Sequence, residues 1–520
     1  MVIVMKSSMF KRIYIYCAIV AVFYFWFAAQ IPYSHDDWDW GTDTGIYWWL
    51  TADQNSRYAG NLFEILMTRS ELLKTMIVGT GCFLIPLLIT QISCQMLSMD
   101  HPRMKCLFFL LGNALILSMD RAIWKQTYGW IAGYANFVLS GIYMLYLLRE
   151  TLPVLTEDSL QGPSSFGYCI WILLISFTGQ LFLENLALYM VLYAFLLCGV
   201  SLKKYHRISR RELALLAGVI LGLVIMFSSG LYKTLFSSGK AINGYRRVYL
   251  NAEDGLLLTM INCLKQFIRL PYHIWENNLV LSLTTLAVMS LKLLRAPCRK
   301  STISRICMIG NLVCAVYFLI HHFVPLPGEL EMYQSANGST NLIIHSITFC
   351  MNMIYFISIT VQILLTAPKK KERIGLLFFW LSALAVIAPL IFISEYGSRL
   401  FFSSNLFLIL FVILQLSSLL QHSNERCVRK CLLVAAAVTA ILILFHGVIY
   451  YEIGLCKAQR DEQISNAILY DAKQLSLPQY PWSHYLQYPD PFSEPRLTSF
   501  KKFYGLPMDI SIDYYIFKRP

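Results

Sequence analysis

Residues 13–31, IYIYCAIVAVFYFWFAAQI, run directly into residues 32–37, PYSHDD. About 20 apolar residues at 1.5 Å rise cross the hydrocarbon core of a bilayer. The first stretch therefore reads as a membrane span, and Asp36-Asp37 falls at its far face. Working outward, the whole chain shares this character. It has 520 residues, 57% of them hydrophobic and only 14% charged, with a mean hydropathy of +0.55. That composition excludes a water-soluble domain and predicts an all-α polytopic membrane protein. The formal net charge of +13 comes from short cationic clusters between apolar stretches and not from a concentrated basic face, so no nucleic acid partner is expected.

Apolar stretches recur at 13–31, 76–97, 106–119, 131–148, 167–182, 186–202, 213–231, 278–294, 306–324, 342–366, 374–393, 401–419 and 431–450, predicting about 13 transmembrane helices (11 to 13). The stretches 106–119, 167–182 and 186–202 are short, and two of them could instead form a re-entrant pair. With Lys6, Lys11 and Arg12 inside, every second loop carries cations, as in Lys203/Lys204/Arg207 and Lys369/Lys370/Lys371. This alternation places the N-terminus in the cytoplasm of a multi-pass plasma-membrane protein. The first stretch has a basic start and Ala28-Ala29 near its end, but its core exceeds a signal-peptide h-region, so an uncleaved anchor is expected. The fourteen cysteines lie mostly in or beside spans and form no disulfide framework.

Residues 1–450 make the polytopic domain, with large external loops at 32–75 and 232–277, and 451–520 make a small external C-terminal cap. In the first loop, Arg57, Asn61, Glu64 and Thr68 follow helical spacing on one face, with Tyr58, Leu62, Ile65 and Leu66 on another. That pattern predicts an amphipathic helix lying on the membrane, with Arg57 and Glu64 available to pair with each other. Thr68 with Glu71 reads as the capping box of the next span. From Gly255 to Leu270, Leu257, Met260, Ile261, Leu264, Phe267 and Ile268 form a second apolar stripe.

A first span, an acidic pair directly after it, a lying helix in the first external loop and many further spans resemble the GT-C superfamily of membrane glycosyltransferases, and within it bacterial polytopic O-antigen glucosyltransferase-like proteins. The resemblance implies a sugar donor carried on polyprenyl phosphate, a glycan or lipid-linked acceptor, and catalysis by Asp36 and Asp37 on the external face. The residues suit that chemistry. Glycosyl transfer passes through an oxocarbenium-like transition state in which a carboxylate takes the proton of the acceptor hydroxyl, and either aspartate can serve. Two adjacent carboxylates also favour a nearby cation, an arginine or a hard divalent ion such as Mg²⁺ or Mn²⁺ held by Asp36 and Asp37. A departing lipid phosphate needs positive charge, for which Arg246, Arg247 and especially Arg399 are the external candidates. Arg57, Glu64 and Glu184 complete the expected substrate-binding set, Glu184 because ionisable groups near membrane depth mark substrate pathways.

Each assignment has a plainer rival: Asp36 and Asp37 as helix caps, His35 as an exposed loop residue, and Gln180, Glu184 and Asn185 as interhelical hydrogen-bond partners. At the level of function, a polysaccharide polymerase or ligase would act on the same lipid-linked glycans, with Arg246 and Arg247 as its essential residues. A lipid or glycan transporter would need central charges and paired repeats, and the sequence offers neither.

Overall fold

The computed structural model describes residues 2–99, 101–157, 165–239, 247–251, 255–276, 278–323, 339–367, 369–394, 396–421 and 423–519, with side chains from residue 15 onward except at 247 and 339–345. It is a helical membrane protein. Every apolar stretch read from the sequence is helical, from Val2–Gln30 to Glu425–Leu469. Among the described residues, eight helices are long and apolar enough to span a bilayer by themselves, and up to 11 are if each sharply bent helix pair counts as one span. Ile15–Gln30 and Phe166–Gln180 are shorter apolar helices. The stretch at 186–202 lengthens to Glu184–Tyr205, because Glu184 and Asn185 supply its polar first turn.

Both amphipathic helices turn polar side chains inward. In Tyr58–Thr68, Asn61, Glu64 and Thr68 are buried, while Leu62 and Leu66 are exposed. In Leu256–Arg269, Gln266 is buried and bonds Tyr249 and Tyr396, while Leu257, Met260, Ile261, Leu264 and Phe267 are exposed. Such a distribution suits a bilayer surface, where lipid takes the apolar face and protein satisfies the polar one.

Lysines fix one end of the bundle. Lys74 donates to the Ile31 carbonyl (2.6 Å) and pairs with Glu71 (2.7 Å), which also meets Lys457 (3.0 Å). Lys457 reaches the Ala29 carbonyl (3.2 Å). The carboxyl end of the first helix, whose last carbonyls lack intrahelical donors, thus receives two ammonium groups. The helix Glu71–Leu97 is capped by Ser70, whose hydroxyl accepts from the Leu73 amide. Thr68, expected as that cap, is instead the last residue of the preceding helix, and its hydroxyl bonds back to the Glu64 carbonyl one turn earlier.

The final span does not stop at the polar sequence. Glu425–Leu469 is one helix of 45 residues, roughly 68 Å long, so the polar stretch from Lys457 continues the span. Beyond it, the parallel strands Gln474–Gln479 and Ser511–Ile516 and the helix Arg496–Tyr504 pack around Arg460. This guanidinium is 2% exposed. It pairs with Asp490, lies 4.4 Å over the Tyr480 ring and donates to the Pro478 carbonyl. Asp490→Ala would strand that charge at a cost of about 3–5 kcal/mol. The expected result is faster hydrogen exchange across both strands with the spans still protected, and unchanged exchange would contradict this role for the pair.

Candidate functional site

The loop after the first helix enters the protein. Asp37 is fully buried, and its two oxygens accept the backbone amides of Ser34 (2.9 Å) and Ala132 (2.9 Å). Ala132 lies in the first turn of the buried helix Ile131–Thr151, so Asp37 caps that helix from a distant loop by accepting one of its free amides. The capping role weighed for the pair therefore falls to Asp37. Asp36 lies differently. It keeps 29% of its side chain exposed, sits 3.2 Å from His35 Nδ1 and accepts the Trp130 indole N–H (3.1 Å).

Glu64 joins them. Its helix, Tyr58–Thr68, presses against the capped helix at Gly60, where any Cβ would collide with the Asn136 amide. Oxygens of Asp36, Asp37 and Glu64 then lie within 4.8 Å of one another, and Glu64 Oε1 is buried with no hydrogen-bond partner. Burial, reinforced by the charge of Asp36, pushes Asp37 well above the usual carboxylate range, against the backbone amides that favour its ionised form. Burial and then Asp36 and Asp37 push Glu64 up in the same way. Burial also opposes ionisation of Asp36, but His35 and Arg496 outweigh it and hold this carboxyl low. The trio is an all-oxygen, hard donor set whose buried acceptor lacks a partner, and it fits a Mg²⁺- or Mn²⁺-class cation.

Arg57 does not pair with Glu64. Its fork grips Glu184, Nε to Oε1 at 2.9 Å and Nη2 to Oε2 at 2.7 Å, and the Tyr232 hydroxyl completes the grip. The bidentate geometry suits a buried guanidinium, whereas Glu64 points from the same helix toward Asp36 and Asp37. The Arg57 and Arg399 guanidinium carbons lie 5.8 and 5.7 Å from one ring, that of Phe137, and Arg399 also lies 5.6 Å over Trp130. Phe137 belongs to a π-helical turn, Tyr134–Val138, an irregularity that re-aims side chains.

Around Phe137 opens a cavity of about 460 Å³ whose polar lining includes Arg57, Glu184, Asn185, Tyr232 and Arg399, with apolar walls that include Leu188, Phe227, Leu235, Phe236 and Leu390. Arg247 lies in a two-residue strand paired with Ile393–Ser394, so its backbone borders this cavity through the neighbouring Val248, and its side chain is outside the described residues. Arg246 is outside them altogether. Gln180 is buried with neither amide atom bonded, packed against Gly222 and not on the cavity wall. His321 lies among Tyr272, Trp275 and Tyr317.

Sequence reasoning missed Trp130, which links Asp36 to Arg399, and Arg496 of the cap, which meets His35 Nε2 (3.2 Å) and Asp39 Oδ2 (3.3 Å). Neither contact has a local sequence signal, since one spans 94 residues and the other more than 450. No family model, no curated protein and no solved structure matches this chain.

Two measurements separate the acids. Asp37→Ala removes the acceptor of two buried amides and is expected to cost about 1–3 kcal/mol of stability, whereas Asp36→Ala should change thermal stability little. Equal losses would erase the division of labour. A carboxyl whose pKa rises on folding holds its proton more tightly in the native state, so stability falls as pH climbs above the unfolded value of about 4. Glu64→Gln should therefore raise Tm at pH 8 and flatten its decline between pH 5 and 8.

Proposed function

We propose that this protein is a membrane glycosyltransferase that moves a sugar from a polyprenyl-phosphate donor to a glycan or lipid-linked acceptor at the external face of the plasma membrane. The proposal takes all thirteen apolar helices as spans and, from the cationic loops, the N-terminus as cytoplasmic. The observation that carries it is the join between Asp36 and the apolar cavity. Trp130 holds Asp36 through its indole N–H and carries Arg399 on its ring, and Arg399 lines the cavity.

An apolar cavity with arginines in its polar lining matches the two natures of an isoprenoid phosphate: the chain desolvates against Leu188, Phe227 and Phe236, and the phosphate meets guanidinium groups. In the transfer, Asp36 takes the proton of an acceptor hydroxyl as that oxygen bonds the anomeric carbon. The bond from that carbon to the phosphate oxygen breaks, and the electron pair leaves with the lipid phosphate, beside Arg399. Asp36 suits the base role because His35 and Arg496 keep it ionised and part of its side chain is exposed. Asp37 positions it by fixing the loop to the helix Ile131–Thr151. A Mg²⁺ or Mn²⁺ ion, if bound, would be held by Asp36, Asp37 and Glu64 and would neutralise their mutual repulsion. Arg57, already gripped by Glu184, shapes the cavity and becomes available to phosphate only when that grip opens.

Asp36→Asn, expressed at the wild-type level, should abolish addition of one sugar to a cell-surface glycan, and Arg399→Ala should lower transfer by roughly 10²-fold or more, the scale of losing one group that stabilises developing charge. Mass analysis of the surface polymer reads both. Retention of full transfer in Asp36→Asn would sink the proposal, and shortened chains with every side residue intact would indicate a polymerase.

A further inference from the structure

The helix Arg121–Thr127 and the C-terminal cap meet beside Asp36, and the surface they share is both cationic and aromatic. Tyr485 and Tyr488 come from the cap. Gly129, just after the helix, takes the Tyr485 carbonyl so closely that any Cβ would overlap it, and the Tyr450 hydroxyl donates to the same oxygen (3.4 Å). The platform is therefore seated and not loosely apposed.

Three features set it apart. Tyr488 is 60% exposed and has φ +45°, a left-handed conformation that costs a non-glycine residue energy and persists only where surrounding structure imposes it. Its ring stands 5.3 Å from the His35 imidazole at an interplanar angle of 31°, and His35 lies 3.2 Å from Asp36, so the exposed aromatic is one imidazole away from the proposed base. The Lys125 ammonium lies 4.8 Å from the same ring. Among the described residues, neither Lys125 nor Arg121 makes an ion pair, whereas Lys74, Lys457, Arg460 and Arg496 at the same end each face a carboxylate. Asp120, the acid nearest in sequence, caps the helix through the Ala122 amide (2.7 Å) and meets Arg121 through charge alone, without an ion-pair contact.

We infer that the platform of Arg121, Lys125, Tyr485 and Tyr488 binds an anionic glycan, the acceptor of the transfer. An aromatic ring meets the C–H face of a sugar, and cations that make no ion-pair contact among the described residues meet a phosphate or carboxylate on it. The inference rests on the transferase proposal for the word acceptor, but the binding is separable from it. A phospholipid headgroup would also supply an anion, yet it would leave unused a strained aromatic held next to the proposed base.

The test uses full-length protein in phosphatidylcholine nanodiscs and three soluble probes: tetragalacturonate, a mannose pentamer bearing one phosphate, and neutral maltotetraose. Wild-type protein should bind at least one anionic probe about tenfold more tightly than the neutral one, with the tighter of the two identifying carboxylate or phosphate as the recognised group. Lys125→Ala and Arg121→Ala should each remove most of that preference. Tyr488→Ala should weaken all binding, and Tyr488→Phe should restore it. Asp36→Asn should retain probe binding while losing transfer, so failure of the transferase proposal leaves this outcome readable. Equal affinity for charged and neutral probes, or anionic binding indifferent to Lys125 and Arg121, would overturn the inference. So would cation variants that lose retained phosphatidylglycerol by native mass spectrometry while keeping glycan affinity.

Discussion

The hydrogen bonds from the Ser34 and Ala132 amides to Asp37 are the constraint on which the site depends. A carboxylate with no exposure persists in such a place only when its oxygens are satisfied. Here the acceptors join the loop after the first helix to the start of a helix nearly 100 residues later. With that junction made, Asp36 keeps part of its side chain exposed and accepts the Trp130 N–H, and Glu64 is brought in from the helix Tyr58–Thr68. A carboxylate that looks like half of a catalytic pair is the part that holds the other half still.

Charge is distributed unevenly around this junction. Glu71 between Lys74 and Lys457, Glu184 gripped by Arg57, and Asp490 on Arg460 are compensated contacts that fix helix ends and the cap. The trio Asp36, Asp37 and Glu64 is the opposite case, three acids within 4.8 Å, and their crowding raises the proton affinity of Asp37 and Glu64. Compensated pairs support structure, and uncompensated clusters store electrostatic free energy that a proton, a cation or a substrate can release. The cap adds Arg496 to this balance, so residues 474–516 are part of the candidate site and more than a cover for it.

The helices were legible because apolar length and periodicity are local. So was the two-faced character of Tyr58–Thr68 and Leu256–Arg269. Which face would turn inward was not legible in the same way: a polar stripe beside a membrane can point to water or to protein, and only the presence of Asp36 and Asp37 behind Glu64, or of Tyr249 and Tyr396 behind Gln266, decides it. The pairing of Arg57 shows the same limit. Spacing on one helix offered Glu64, but Glu184, 127 residues away, presents both oxygens to the guanidinium fork, and bidentate geometry prevails over sequence proximity.

By itself the sequence determined a helical membrane protein with acids just after its first apolar helix, because hydrophobic length and composition act residue by residue. Only the tertiary structure decided that Asp37 caps a distant helix while Asp36 stays accessible, that Glu64 completes the trio, and that Arg57 and Arg399 share the Phe137 ring. Those outcomes depend on which buried donors and acceptors meet after the helices pack, and a buried polar group takes whatever partner packing brings to it.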